Sequence, residues 1–304
     1  MTVIGIPRAT LYFKYQVLWE AFFEGIGCQI AVSPPTDRRI LARGVELSVD
    51  ESCLPMKVLL GHVDALAGSC DAVLIPRLER LQPREEACVK FMGAYDIVRN
   101  TLPEVELVTY QVAVHNGLHE RAEMIALGQR LGATREEATR SYDEAHLKWE
   151  ESRDERSKEQ HQRVSAKRTR PRMLVVAHPY ALYDEVIGRR VLDFLKTQEV
   201  DVFVSDDVDH ERAHECSTAI SPGLIWTFSK ELLGSVQMYR DEIDGIVFIV
   251  TFPCGPDSLM AEMAQRKLEH IPVVTLVLDE LSGEAGLKTR LESFVDILAM
   301  RTAS

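Results

Sequence analysis

The strongest constraint on this chain is the recurrence of short apolar runs, each followed by a stretch with helical spacing. The first group is "TVIGI", "QIAVS", "DAVLIP" and "ELVTYQV"; the second is "MLVVAH", "VDVFVS", "DGIVFIV" and "PVVTLVL". Runs of this length, rich in Val and Ile, suit strands buried on both faces, and helices between them make the connections parallel. The expected fold class is α/β, with two Rossmann-like domains built on parallel sheets.

Between the two groups lies a charged, strongly helix-forming stretch with almost no β-branched residues before Val164. It reads as a helical connector over 117–170, leaving an N-terminal α/β domain over 1–116 and a C-terminal one over 171–304. The connector's basic end, "KRTRPR", reads as a solvated linker. The halves also echo each other: "VIGIPRATLY" and "VVAHPYALY" share an apolar run, a proline, an alanine and then Leu-Tyr, and "DAVLIP" parallels "DGIVFIV". In such folds ligands bind beyond the carboxyl ends of the strands. Residues just after each strand therefore carry the functional reading.

Composition excludes several classes. A hydrophobic share of 46% with 27% charged residues reads as a soluble globular protein. A net charge of −12 argues against nucleic-acid binding, which relies on clustered Lys and Arg. No segment reaches the roughly 20 apolar residues of a membrane span, and no targeting signal is visible, so the expected location is cytoplasmic. In a reducing compartment the six cysteines are better suited to metal binding or catalysis than to disulfides.

Cys254, in "TFPCGPDSLM", follows a strand and opens a helix for which Asp257 or Ser258 would serve as N-cap. A helix N-terminus favours a thiolate, and Gly255 would let the backbone approach a bulky ligand. Cys53 in "DESCLPMKVLLGHV" and Cys88 in "EEACVKFMG" also stand where a loop feeds a helix. Their spacing matches neither a zinc ribbon nor a bacterial ferredoxin. Cys28 and Cys70 fall at the amino ends of strands and read as packing residues. Cys216, with His210 and His214, offers a His-x3-His-x-Cys pattern without an evident fourth zinc ligand, and reads as surface loop. His178, after "MLVVA", is a candidate acid or base. Arg8 and Arg77, each after a strand and a proline, could hold an anion, although salt bridging is the commoner role. Glu284 is a further cleft candidate. No GxxxxGK[ST] loop is present, so the chain is not expected to hydrolyse ATP.

Taken together, "IGIPRATLYFKYQVLWEAFFEGIGCQIAVSPPT", "DESCLPMKVLLGHV", "IPRLER", "CVKFMG", "HPYALYDEVIG", "WTFSKELLG", "CGPDSL" and "GEAGLKTRLESFVDIL" resemble the acyl-CoA dehydratase activase-related proteins. These are relatives of the 2-hydroxyacyl-CoA dehydratase and benzoyl-CoA reductase subunits. "DELSGEAG" departs from the pattern, carrying Leu281-Ser282 where a His-Thr pair is expected. The resemblance implies an iron–sulfur cluster between two domains, with Cys53, Cys88 and Cys254 as protein ligands of a [4Fe–4S] cubane. A double-cubane cluster would need further ligands. It also implies an ATP-dependent activase as electron donor, an acyl-CoA substrate, and pairing as a homo- or heterodimer. The alternatives are a cluster-carrying electron-transfer or maturation partner without its own substrate, and a metal-free enzyme with Cys254 as nucleophile and His178 as base.

Overall fold

The computed structural model describes residues 1–302. The chain divides into two compact units, Met1–Ser152 with Ile225–Thr227, and Arg153–Leu224 with the chain from Phe228 onward. The first unit is built from β1 (Val3–Ile6), α1 (Tyr12–Gly25), β2 (Gln29–Val32), α2 (Arg38–Leu47), α3 (Leu54–Leu66), β3 (Ala72–Leu74), β4 (Arg77–Arg80), α4 (Val89–Thr101), β5 (Leu107–Val108), β6 (Gln111–Ala113) and α5 (Glu120–Arg130). The helix α6 (Arg135–Ser165) contributes residues to both units. The second unit adds β7 (Arg172–Val176), α7 (Pro179–Tyr183), α8 (Arg189–Lys196), β8 (Asp201–Val204), α9 (His210–Cys216), α10 (Thr227–Tyr239), β9 (Gly245–Thr251), α11 (Gly255–Lys267), β10 (Val273–Leu278) and α12 (Glu284–Thr302).

Each unit has one four-stranded parallel sheet, and the two share a strand order. The first runs β2-β1-β3-β5 and the second β8-β7-β9-β10. Counting only the strands of each four-stranded sheet, both read 2-1-3-4, the doubly wound order whose chain reversal opens a crevice between strands 1 and 3. The central strands justify their composition: every residue of β7 and of β9 is buried, whereas the edge strand β2 exposes Gln29 and Val32. The α/β reading therefore holds.

The echo between the halves extends to a side-chain latch. In the first unit, Ser33 follows β2 and its Oγ accepts the Arg8 backbone N–H at 2.8 Å. In the second, Ser205 follows β8; its Oγ accepts the Ala177 N–H at 3.1 Å and donates to the Ala177 carbonyl. Each hydroxyl ties the loop after strand 2 to the loop after strand 1. Both loops lie at the carboxyl edge, where ligands bind in this topology.

Some local readings are corrected. "ELVTYQV" is two strands, β5 and β6, separated at Thr109-Tyr110; β6 leaves the main sheet and pairs in parallel with β4. The Tyr110 carbonyl accepts the Arg77 N–H at the branch. The basic stretch is more than a solvated linker, because Arg172 begins β7, is buried, and donates to the Ala166 carbonyl and Glu242.

The charged segment folds as helices for readable reasons. Thr134 and Glu137 form a reciprocal capping box at the start of α6. Ala138, Tyr142, Ala145 and Trp149 then recur at helical spacing and are buried, with Trp149 stacked on Tyr15 and donating to the Lys14 carbonyl. Farther along, Gln160 bonds both the N–H and the carbonyl of Val204 in the second unit.

Candidate thiol and imidazole site

Three helices begin on cysteine. Cys53 is the N-cap of α3, Cys88 of α4 and Cys254 of α11, and none uses its side chain to cap. The contrast with α2 and α9 is informative, since Asp37 and Asp209 accept first-turn N–H groups there. Cysteine is a poor substitute for Ser, Thr, Asp or Asn at an N-cap, so capping does not account for these three thiols. Each is half-buried and none forms a disulfide. Pro55 and Pro256 occupy the first turns of α3 and α11, where a missing N–H is harmless.

Cys53 and Cys88 belong to the first unit and feel each other's charge. Burial is the main influence on Cys53 and pushes its thiol pKa up, Cys88 adds to the rise, and the Met56 N–H and Lys90 oppose it. The helix N-terminus therefore does not by itself produce a free thiolate at Cys53, and a cation would favour its deprotonation. Close packing against α2 positions α3. A methyl group at Gly44 of α2 would collide with the Lys57 carbonyl, and one at Gly61 with the Ile40 carbonyl. Only glycine allows this backbone approach.

Behind Cys53, the same helix carries a histidine that sequence reasoning missed. His62 is fully buried, with Nδ1 2.8 Å from Ser33 Oγ and Nε2 2.8 Å from Thr36 Oγ1. Burial, reinforced by the Arg8 charge, lowers its pKa to about 4. The imidazole is neutral and joins α3 to the loop after β2. No sequence signal reveals it, because its partners lie 26 and 29 residues away.

The second unit brings two predicted residues together. His178 follows β7, stands at the N-cap position of α7 without capping it through its side chain, and is 7% exposed. Its Nε2 lies 2.9 Å from Asp257 Oδ1. A carboxylate only accepts, so Nε2 carries the proton and Nδ1 is the remaining acceptor. Tyr180 stacks on the imidazole and Phe228 meets it edge-on. Asp257 is thus not the N-cap of α11: Cys254 takes that position, and Ser258 Oγ donates back to the Cys254 carbonyl. Because β7 and β9 are adjacent, His178 and Cys254 both follow strands that flank the crevice.

Other candidates take structural roles. Arg77 makes two 2.6 Å bonds to Asp96 and stacks over Tyr95. Cys28 is buried ahead of β2, and Cys70 packs against Gly5 ahead of β3. His210 and Cys216 lie on α9, not in a loop, and His210 bonds Glu231 and the Asp206 carbonyl. Glu284 pairs with Lys288 at the start of α12. At the departure from the family pattern, Ser282 Oγ bonds Asp279 within the turn and Leu281 is exposed.

Residues 3–208 match a family described as the CoA enzyme activase uncharacterised domain. The chain belongs to this family. No curated protein matches it. The CoA enzyme activase match includes Cys53, Cys88 and His178 and ends before Cys254 and Asp257. Among the described residues no group of three or more His, Cys, Asp or Glu side chains is gathered to hold a metal ion. The three N-cap thiols are not committed to disulfides or to side-chain capping. Among the described residues, no helix is long and apolar enough to cross a membrane.

Proposed function

We propose that this member of the CoA enzyme activase family is an iron–sulfur redox protein related to the 2-hydroxyacyl-CoA dehydratase and benzoyl-CoA reductase subunits. Cys53, Cys88 and Cys254 are its cluster ligands. The observation that carries this reading is the repeated use of cysteine at a helix N-cap without side-chain capping. When bound, a [4Fe–4S] cluster would supply one-electron chemistry at low potential, with a separate ATP-dependent activase as electron donor and an acyl-CoA as substrate. Three thiolates leave one iron without a protein ligand. The positive ends of α3, α4 and α11 favour negative charge at their respective thiols. His178, held by Asp257, is the acid or base, accepting or returning a proton at Nδ1.

Anaerobic reconstitution with iron and sulfide tests the proposal. About four of each per chain, with a cubane signal in the reduced protein, is the expected result. Cys→Ser at 53, 88 or 254 should each lose or alter that signal. Unchanged iron content and spectra in all three variants would refute the ligand assignment.

The His178–Asp257 pair also favours a second reading, in which Cys254 is a nucleophile in a metal-free enzyme and His178 its base. Selective alkylation of Cys254 with loss of turnover, in protein that takes up no iron, would support it over the cluster.

A further inference from the structure

The division of the first sheet leaves a cavity. Where β5 ends and β6 departs to join β4, a cleft of about 450 Å³ is lined by residues 107–111 on one side and by α5 on the other. Its volume lies in the range of small-molecule sites. The apolar part comes from Leu107 and Val108 of β5 and from Leu127 and Leu131 at the end of α5. Every lining residue belongs to the first unit.

Two opposite charges line this cleft without an ion-pair partner. Arg77 also borders it, but its guanidinium is committed to Asp96. Among the described residues neither Glu123 nor Arg130 forms an ion pair, and the Arg130 guanidinium makes a single hydrogen bond, from Nη2 to the Thr109 carbonyl at 2.5 Å. Each sign suits its end of α5, so neither charge needs a counterion from the protein. Seven positions apart, they share one face of the helix, separated by about 10 Å along its axis. The facing backbone adds donors and acceptors. Both β5 and β6 are paired on one side only. The Val108 carbonyl accepts the Ile75 N–H and the Tyr110 carbonyl accepts the Arg77 N–H, so the alternation of a strand turns the N–H and carbonyl of Leu107 and of Gln111 to the open edge.

We propose that this cleft binds a short extended peptide with free termini. Its carboxylate pairs with Arg130, its ammonium group with Glu123, and its peptide groups bond the open backbone edge of residues 107–111. An apolar middle side chain packs on Leu127 and Leu131. About three extended residues span about 10 Å, which matches the separation of the two charges, whereas a single amino acid is too short to reach both. The site uses no thiol and no metal, and so does not rest on the cluster assignment.

Titration calorimetry of the intact protein with the tripeptide Ala-Leu-Ala tests this. Saturable binding is expected, and acetylating the amino end or amidating the carboxyl end should each weaken it about 10-fold. Arg130→Gln should lose the same factor for the free peptide yet bind the amidated one as wild type does, and Glu123→Gln should behave likewise toward the acetylated one. Arg130 is exposed and Glu123 half-buried, so urea unfolding of both variants should match wild type. An aminoalkanoate of equal length, which has the end charges without peptide groups, should bind more weakly than the tripeptide. Absence of saturable binding to wild type would overturn the proposal, as would capped peptides that bind wild type as tightly as the free one. Equal weakening of free and amidated peptide by Arg130→Gln would remove the carboxylate pairing on which the site depends, and equal affinity for the aminoalkanoate would overturn the strand pairing.

Discussion

Acidification should destabilise the first unit through one side chain, His62. Its folded pKa is lowered from 6.5 to about 4, chiefly by burial. Between those values the unfolded chain binds a proton that the folded chain refuses, so this contribution to stability is present above the unfolded value and is lost as pH falls toward the folded one. The full loss is about 3 kcal/mol, of which about 2 kcal/mol should go between about pH 7 and about pH 5. His62→Gln keeps an amide donor and acceptor for Ser33 and Thr36 but does not titrate. Urea unfolding of both proteins at the two pH values, followed by tryptophan fluorescence, isolates the effect, because Trp19, Trp149 and Trp226 all lie in the first unit. Wild type should lose about 2 kcal/mol more than His62→Gln on acidification. Equal losses would refute the assignment of a neutral, desolvated His62.

Two further tests probe the packing and the second unit. Gly44→Ala should cost at least about 1–3 kcal/mol in urea unfolding, because its methyl group would meet the Lys57 carbonyl. Gly93→Ala on α4, where the space is open, should be neutral or slightly stabilising; equal effects would undermine the account of the α2–α3 contact. Asp207, half-buried and raised to about 6 mainly by burial, should behave oppositely to His62. Its folded form holds a proton that the unfolded form has released, so its contribution grows as pH falls from that value toward the ordinary carboxylate range. Asp207→Asn should flatten that part of the pH–stability curve.

The parallel α/β architecture was legible because the strands are short Val- and Ile-rich runs and Gly, Pro and Asp mark their ends. The same local punctuation placed Cys53, Cys88 and Cys254 at helix starts. Local signals misled where a competing partner lay far away. Asp257 has the chemistry of an N-cap, but its carboxylate goes to His178, 79 residues distant. "ELVTYQV" reads as one strand because its composition does not show that Tyr110 bonds to Arg77 where the sheet divides.

The sequence by itself determined the α/β class, the strand-helix alternation and the loops that carry thiols, since these depend on side-chain period and on residues a few positions apart. Tertiary structure decided the shared 2-1-3-4 order, the burial of His62, the His178–Asp257 bond, and the placement of Ile225–Thr227 beside Glu86. Each of these depends on groups brought together across many residues, and the gain in desolvation and hydrogen bonding exists only once both partners are enclosed.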